Sequence, residues 1–161
     1  MNIRQKKYTS IFLILILIIF IFIYKYQKNR EALKASEPIV INLLTSVHPK
    51  LPWKFDAIKK KLFIKPGEVV NINYIVENLG NINTSGIATF AYFPKQFGNY
   101  ISKINCFCYD ARTLKPKEKD KYSLVMFIDP EVTKDSKTKN VKEITIQFIF
   151  FDYKEYKKSE S

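Results

Sequence analysis

Val70, Ile72, Tyr74 and Val76 alternate with Asn71, Asn73 and Glu77, and near the end of the chain Ile144, Ile146, Phe148 and Phe150 alternate with Glu143, Thr145 and Gln147. A period of two places successive side chains on opposite faces, so each run predicts a strand with one buried and one wet face. Such strands must pack their apolar faces against a second layer. Weaker strand patterns cover Val40–Val47, Phe55–Ile64, Gly86–Phe93, Tyr100–Tyr109 and Lys121–Ile128. Pro66-Gly67, Asn78-Leu79-Gly80-Asn81, Phe97-Gly98-Asn99 and Asp129-Pro130 punctuate them at the spacing of an antiparallel sandwich. The expected fold class is therefore all-β, an immunoglobulin-like β-sandwich over residues 39–153 followed by a polar, frayed tail over 154–161.

The first thirty residues follow another rule. Ile11 to Tyr24 is unbroken apolar sequence, and extending it from Tyr8 to Tyr26 gives a helix of about 28 Å, close to the hydrocarbon thickness of a bilayer. Tyr8, Tyr24 and Tyr26 fall at interfacial depth, with Arg4, Lys6 and Lys7 before them and Lys25, Lys28 and Arg30 after. A cleaved signal peptide is the alternative, but no small-x-small site follows Tyr24 before Ala32. The expected organisation is a cytoplasmic N-terminus at 1–7, one transmembrane signal-anchor helix at 8–26, a stalk at 27–38 and then the sandwich. Basic residues flank both ends of the span, so charge alone does not orient it.

The net charge of +12 raises the question of nucleic acid, but residues 1–30 carry six basic and no acidic residues, half of that excess. Only Arg4, Arg30 and Arg112 are arginines, whereas base readout and bidentate phosphate contacts favour arginine. No nucleic-acid partner is expected, and Lys59-Lys60-Lys61 reads as a solvated strand face.

The two cysteines of the chain, Cys106 and Cys108, lie in Lys103-Ile104-Asn105-Cys106-Phe107-Cys108-Tyr109. On a strand both sulfurs project from one face while Phe107 points the other way. Soft thiolates select Cu(I), zinc or iron–sulfur clusters. Zinc and clusters want four protein ligands, and this chain offers two cysteines and His48, whereas Cu(I) accepts low coordination. A disulfide is the rival reading, although residues i and i+2 of a strand lie roughly 6.5 Å apart, near the upper limit of bridge geometry. Spacing leaves a metal site, a redox pair and two incidental buried cysteines all open.

Enzymatic signatures are absent. His48 follows Ser46-Val47 and precedes Pro49 with no nucleophile elbow or metal-binding helix around it, and four glycines leave no phosphate loop. His48 reads as a turn histidine, Met126 as core, and Trp53 and Phe55 as packing. No catalytic residue is expected, and the chain is not read as an enzyme.

A wider set of residues resembles the CtaG family of cytochrome c oxidase assembly proteins. The set comprises Leu51-Pro52-Trp53-Lys54-Phe55, Pro66-Gly67-Glu68, Gly86 with Ala88-Thr89, Pro94, Gly98 and Tyr100. It continues through the Lys103–Tyr109 stretch, similar to the family's lysine-isoleucine-x-Cys-Phe-Cys-Phe signature with tyrosine last. Leu114, Pro116, Glu118, Asp129-Pro130, Ile144-Thr145 and Phe150-Phe151 complete it. The resemblance implies an immunoglobulin-like domain outside the cytoplasm, N-terminus inside, with Cu(I) held by Cys106 and Cys108. It implies a copper chaperone that helps insert copper B into subunit I of the oxidase. Two family features are missing: a cysteine shortly after the membrane helix, since 27–39 contains none, and a methionine-proline where Tyr122-Ser123 stand.

Further expectations follow from the chemistry of such a site. Metal binds thiolates, so the pair must be reduced before loading, which implies a thiol reductase beside the copper-donating chaperone. Two thiols leave Cu(I) open to exchange, and a second copy supplying its own pair gives a copper-bridged homodimer. The short N-terminus lacks an arginine- and serine-rich transit segment, so the expected location is a bacterial inner membrane, single-pass type II, with the C-terminal domain in the periplasm. The alternatives are a membrane-tethered thiol–disulfide protein in oxidase biogenesis and a purely structural adhesion-like sandwich.

Overall fold

A computed structural model describes the backbone of residues 3–34 and 37–160 and the side chains of residues 12–28 and 37–158. The chain divides into two units, Met1–Ser36 and Glu37–Ser161. The first is one helix, α1 (Ile3–Lys34). Its large apolar side chains from Phe12 to Ile23, with Tyr24 and Tyr26, are all between 46% and 74% exposed. Among the described residues no helix is long and apolar enough to cross a membrane. Positions 8–11 of the expected span lie outside the described side chains.

The second unit is built of strands β1 (Ile39–Val47), β2 (Trp53–Ala57), β3 (Lys61–Ile64), β4 (Val69–Asn78), β5 (Thr84–Phe93), β6 (Ile101–Cys106), β7 (Arg112–Leu114), β8 (Lys119–Ile128) and β9 (Glu143–Asp152), closed by helix α2 (Tyr153–Glu160). They form a five-stranded sheet, β3-β1-β9-β5-β7, and a four-stranded sheet, β2-β4-β8-β6. The alternation read in β4 and β9 is the pattern of burial: Ile72, Tyr74 and Val76 of one sheet meet Ile144, Ile146, Phe148 and Phe150 of the other, each at most 3% exposed. Met126 is fully buried, and Trp53 is buried with its Nε1–H donating to Thr84 Oγ1 at 2.7 Å. At about 1.5–3 kcal/mol for each large side chain removed from water, this inner layer drives the folding of the unit.

Several expectations are corrected. The sheets are not wholly antiparallel, because β1 runs parallel to β9, Val40 opposite Glu143 through Val47 opposite Phe150. The expected strand Phe55–Ile64 is two strands, β2 pairing β4 in one sheet and β3 pairing β1 in the other. Lys59 and Lys60 occupy the crossing between sheets, where both stay solvated, and only Lys61 of that run lies on a strand. The tail is helical from Tyr153, started by Asp152, whose Oδ1 accepts the N–H groups of Lys154 and Glu155 at 3.0 and 3.1 Å. β7 has only three residues, too short to leave a periodic signal. The expected turns at Pro66-Gly67, 78–81, 97–99 and Asp129-Pro130 do separate strands. Gly67, at φ 92°, adopts a left-handed conformation that glycine tolerates without steric penalty.

Candidate metal centre

β6 is an edge strand of the four-stranded sheet, and it is irregular. Lys103 lies opposite Met126, but Asn105 lies opposite Val125 and Cys106 opposite Leu124, so Ile104 is an extra residue with no partner. Such a bulge changes the parity of the strand. Lys103 and Cys106, three apart, face the residues Met126 and Leu124, two apart and both buried, so both turn toward the core. Ile104 is left 59% exposed.

The expected strand Tyr100–Tyr109 ends at Cys106, and Phe107–Tyr109 form a single 3-10 turn. This turn begins the crossing from β6, at the edge of one sheet, to β7, at the edge of the other. Its apolar member enters the gap: Phe107 is 3% exposed, with ring centroids 5.0 Å from Phe148, 5.2 Å from Tyr74, 5.5 Å from Tyr122, 5.8 Å from Phe55 and 5.9 Å from Phe150. Burial holds the Tyr74 hydroxyl well above the usual phenol range and pushes that of Tyr122 up to about 12, the nearby Asp120 adding to the latter.

The cysteines are therefore brought together by a turn, not by the pleat of a strand. Their Cα atoms are 5.1 Å apart, closer than the roughly 6.5 Å of an extended chain and inside the usual range for bridged cysteines. The sulfurs are joined in a disulfide. The Cys108 N–H donates to Cys106 Sγ at 3.2 Å. The two positions differ in environment, Cys106 being 3% exposed while Cys108 is half-buried on the turn.

Around the pair, the Lys103 ammonium lies 2.9 Å from the centroid of the Phe90 ring, and burial lowers its pKa from the ordinary lysine value. The exposed Tyr109 hydroxyl donates to the Lys103 carbonyl at 2.9 Å, tying the turn back to β6. Neither contact was legible beforehand, because a one-residue bulge leaves no periodicity to read. His48 occupies the turn after β1, with its ring 5.6 Å from that of Phe151 and Nδ1 accepting the Lys50 N–H at 3.4 Å. Among the described residues no three His, Cys, Asp or Glu side chains converge. The donor set is thus two sulfurs: oxidised, they form a bridge, and reduced, they offer two thiolates to one soft ion.

The family described as cytochrome c oxidase assembly protein CtaG/Cox11 matches residues 22–152. Among individual relatives, the cytochrome c oxidase assembly protein CtaG of Sinorhizobium medicae is 35% identical over 115 residues, 71% of this chain and 58% of that protein. Its counterpart in Ehrlichia ruminantium (strain Gardel) is 39% identical over 117 residues, 73% of this chain and 66% of that protein. That of Nitrobacter hamburgensis is 32% identical over 124 residues, 77% of this chain and 57% of that protein. The chain thus spans under two-thirds of the length of these relatives, and the matched segment takes in the whole sandwich and the cysteine turn. By this match the chain belongs to the CtaG/Cox11 family of cytochrome c oxidase assembly proteins.

Proposed function

We propose that this chain is a membrane-anchored copper chaperone that receives Cu(I) on Cys106 and Cys108 and helps insert it as copper B into subunit I during oxidase assembly. The observation that carries the reading is the turn. It holds two sulfurs within reach of one ion, with no third protein ligand among the described residues to close the coordination sphere. A closed four-ligand site retains its metal, whereas a two-thiolate site surrenders it to a better ligand set. Transfer is then ligand exchange, sulfur for the imidazoles of the acceptor, with no bond-breaking catalysis and no enzymatic role.

The bridged pair cannot coordinate copper, so a thiol reductase acts before a copper-donating chaperone. A second copy supplying its own pair across an isologous contact shields the ion in a copper-bridged homodimer. The apolar side chains of α1 from Phe12 to Ile23 are exposed, which supports insertion in lipid. The domain then lies in the periplasm of a bacterial inner membrane, single-pass type II.

The test is anaerobic Cu(I) titration of the reduced full chain in detergent, beside the Cys106→Ser/Cys108→Ser variant, with metal content and native mass read together. The expected result is about one copper per chain and a dimer, both absent in the variant. A folded, reduced chain that takes up no copper sinks the proposal. In that case the bridge itself favours the second reading, a membrane-tethered thiol–disulfide protein of the same assembly pathway.

A further inference from the structure

The turn treats its two sulfurs differently, and opening the bridge depends on that difference. Thiol–disulfide exchange proceeds in line: the attacking thiolate approaches one sulfur from the side opposite the other, and which sulfur is attacked follows access. Approach to Cys106 Sγ has to come through the sandwich interior, since this residue is 3% exposed, faces inward from β6 and belongs to the buried core. Phe107, locked among Tyr74, Tyr122 and Phe148, prevents the turn from swinging out to expose it. Cys108 lies on the turn itself, half-buried, and is followed by exposed Tyr109 and Asp110.

We propose that Cys108 is the sulfur attacked when the bridge is reduced and that Cys106 is the leaving group. This rests on the reading of the pair as a site that must be reduced before it takes up metal. An external thiolate bonds to Cys108 Sγ as the Cys106–Cys108 bond breaks, and the electron pair of that bond leaves on Cys106 as a thiolate. The Cys108 N–H, 3.2 Å from Cys106 Sγ in the bridged state, is placed to donate to that thiolate, a charge-assisted bond that favours this direction of opening. A second external thiolate attacks the external sulfur of the mixed disulfide and frees Cys108. Two thiols are oxidised to one disulfide and the protein gains two electrons and its two thiols.

The experiment uses the unmutated full chain in detergent with glutathione as the probe. The reaction is quenched in acid during reduction, the protein is unfolded and alkylated, and peptides are mapped by mass. Glutathione on Cys108 with the alkyl group on Cys106, in at least about tenfold excess over the reverse, is the expected outcome for access-controlled attack. Equal labelling, or glutathione mainly on Cys106, overturns the proposal. As a second arm, the single thiols of Cys106→Ser and Cys108→Ser are reacted with oxidised glutathione after each variant is checked for native circular dichroism. Cys108 in the first is expected to react at least about tenfold faster than Cys106 in the second. No copper is present in either arm, so failure of the copper reading and failure of this one are separate results.

Discussion

Replacing Phe107 with alanine tests whether the aromatic plug, and not the strand before it, holds the cysteine turn. Phe107 is 3% exposed and in ring contact with Phe148, Tyr74, Tyr122, Phe55 and Phe150, drawn from both sheets. Truncating a phenylalanine so placed removes its transfer energy and leaves a cavity whose lining rings cannot close inward, for a loss of about 3–5 kcal/mol. Ring pairs of about 0.5–1.5 kcal/mol each lie within that figure and are not added to it. Against a total stability on the order of 5–15 kcal/mol, the domain stays folded at room temperature but melts about 10–20 °C lower. Differential scanning calorimetry of the full chain in detergent, with the bridge intact throughout, measures this directly. Tyr109→Ala, two positions along the same turn but 56% exposed, is the control and should cost less than about 1 kcal/mol. A Phe107→Ala loss below about 1 kcal/mol, or one equal to that of Tyr109→Ala, would refute the plug. So would full retention of cysteine reactivity in the variant.

Gly86 sits where a Cβ would lie 2.8 Å from Leu51 Cδ2 and 2.9 Å from Trp53 Cζ3, both on buried side chains, so Gly86→Ala should lower stability by about 1–3 kcal/mol in denaturant titration. The Asp135 carboxyl is held below its ordinary value of 3.8, first by the Lys137 N–H and then by the Tyr100 hydroxyl at 2.6 Å. A depressed folded value means stability fully present above 3.8 and lost as pH falls through the folded value. Asp135→Asn should therefore be less stable than the parent near neutral pH and converge with it in strong acid, as read by melting temperature across that range.

What the sequence made legible is what repeats. β4 and β9 alternate over many residues with one face mostly buried, so a period of two is forced on them. The turns at Pro66-Gly67 and Asp129-Pro130 carry their own backbone chemistry and needed no context. The cysteine turn is the opposite case. One extra residue at Ile104 and a three-residue 3-10 segment decide where Lys103, Cys106 and Cys108 point, and neither event spans a full period. The division of 55–64 between two sheets was hidden for a related reason: β2 and β3 are only five and four residues long, and they pair with different partners. The parallel pairing of β1 with β9 is a long-range outcome that no local pattern encodes.

Under the proposed copper role, the site has to hold a soft ion and also release it, and the place of these cysteines in the sandwich would meet the two demands separately. Rigidity comes from Phe107, whose burial fixes the backbone between the sulfurs without supplying a ligand. Exchange comes from the edge: β6 and β7 are the outer strands of their sheets, so the crossing between them borders the gap between the layers and not the centre of either. Had both cysteines stood on a regular central strand, both sulfurs would be buried or both exposed, since positions i and i+2 share one face. The turn after Cys106 breaks that symmetry, leaving Cys106 buried and Cys108 half-buried, while the bulge before both cysteines lets Lys103 and Cys106 share the inward face three residues apart. Deleting Ile104 would leave Lys103, Asn105 and Cys106 consecutive and opposite Met126, Val125 and Leu124 as before, so Lys103 and Cys106 would still share the inward face. The expected consequence is that the reactivity difference between the two thiols survives the deletion, read by the same glutathione labelling; its loss would show that the bulge, and not the turn, sets it.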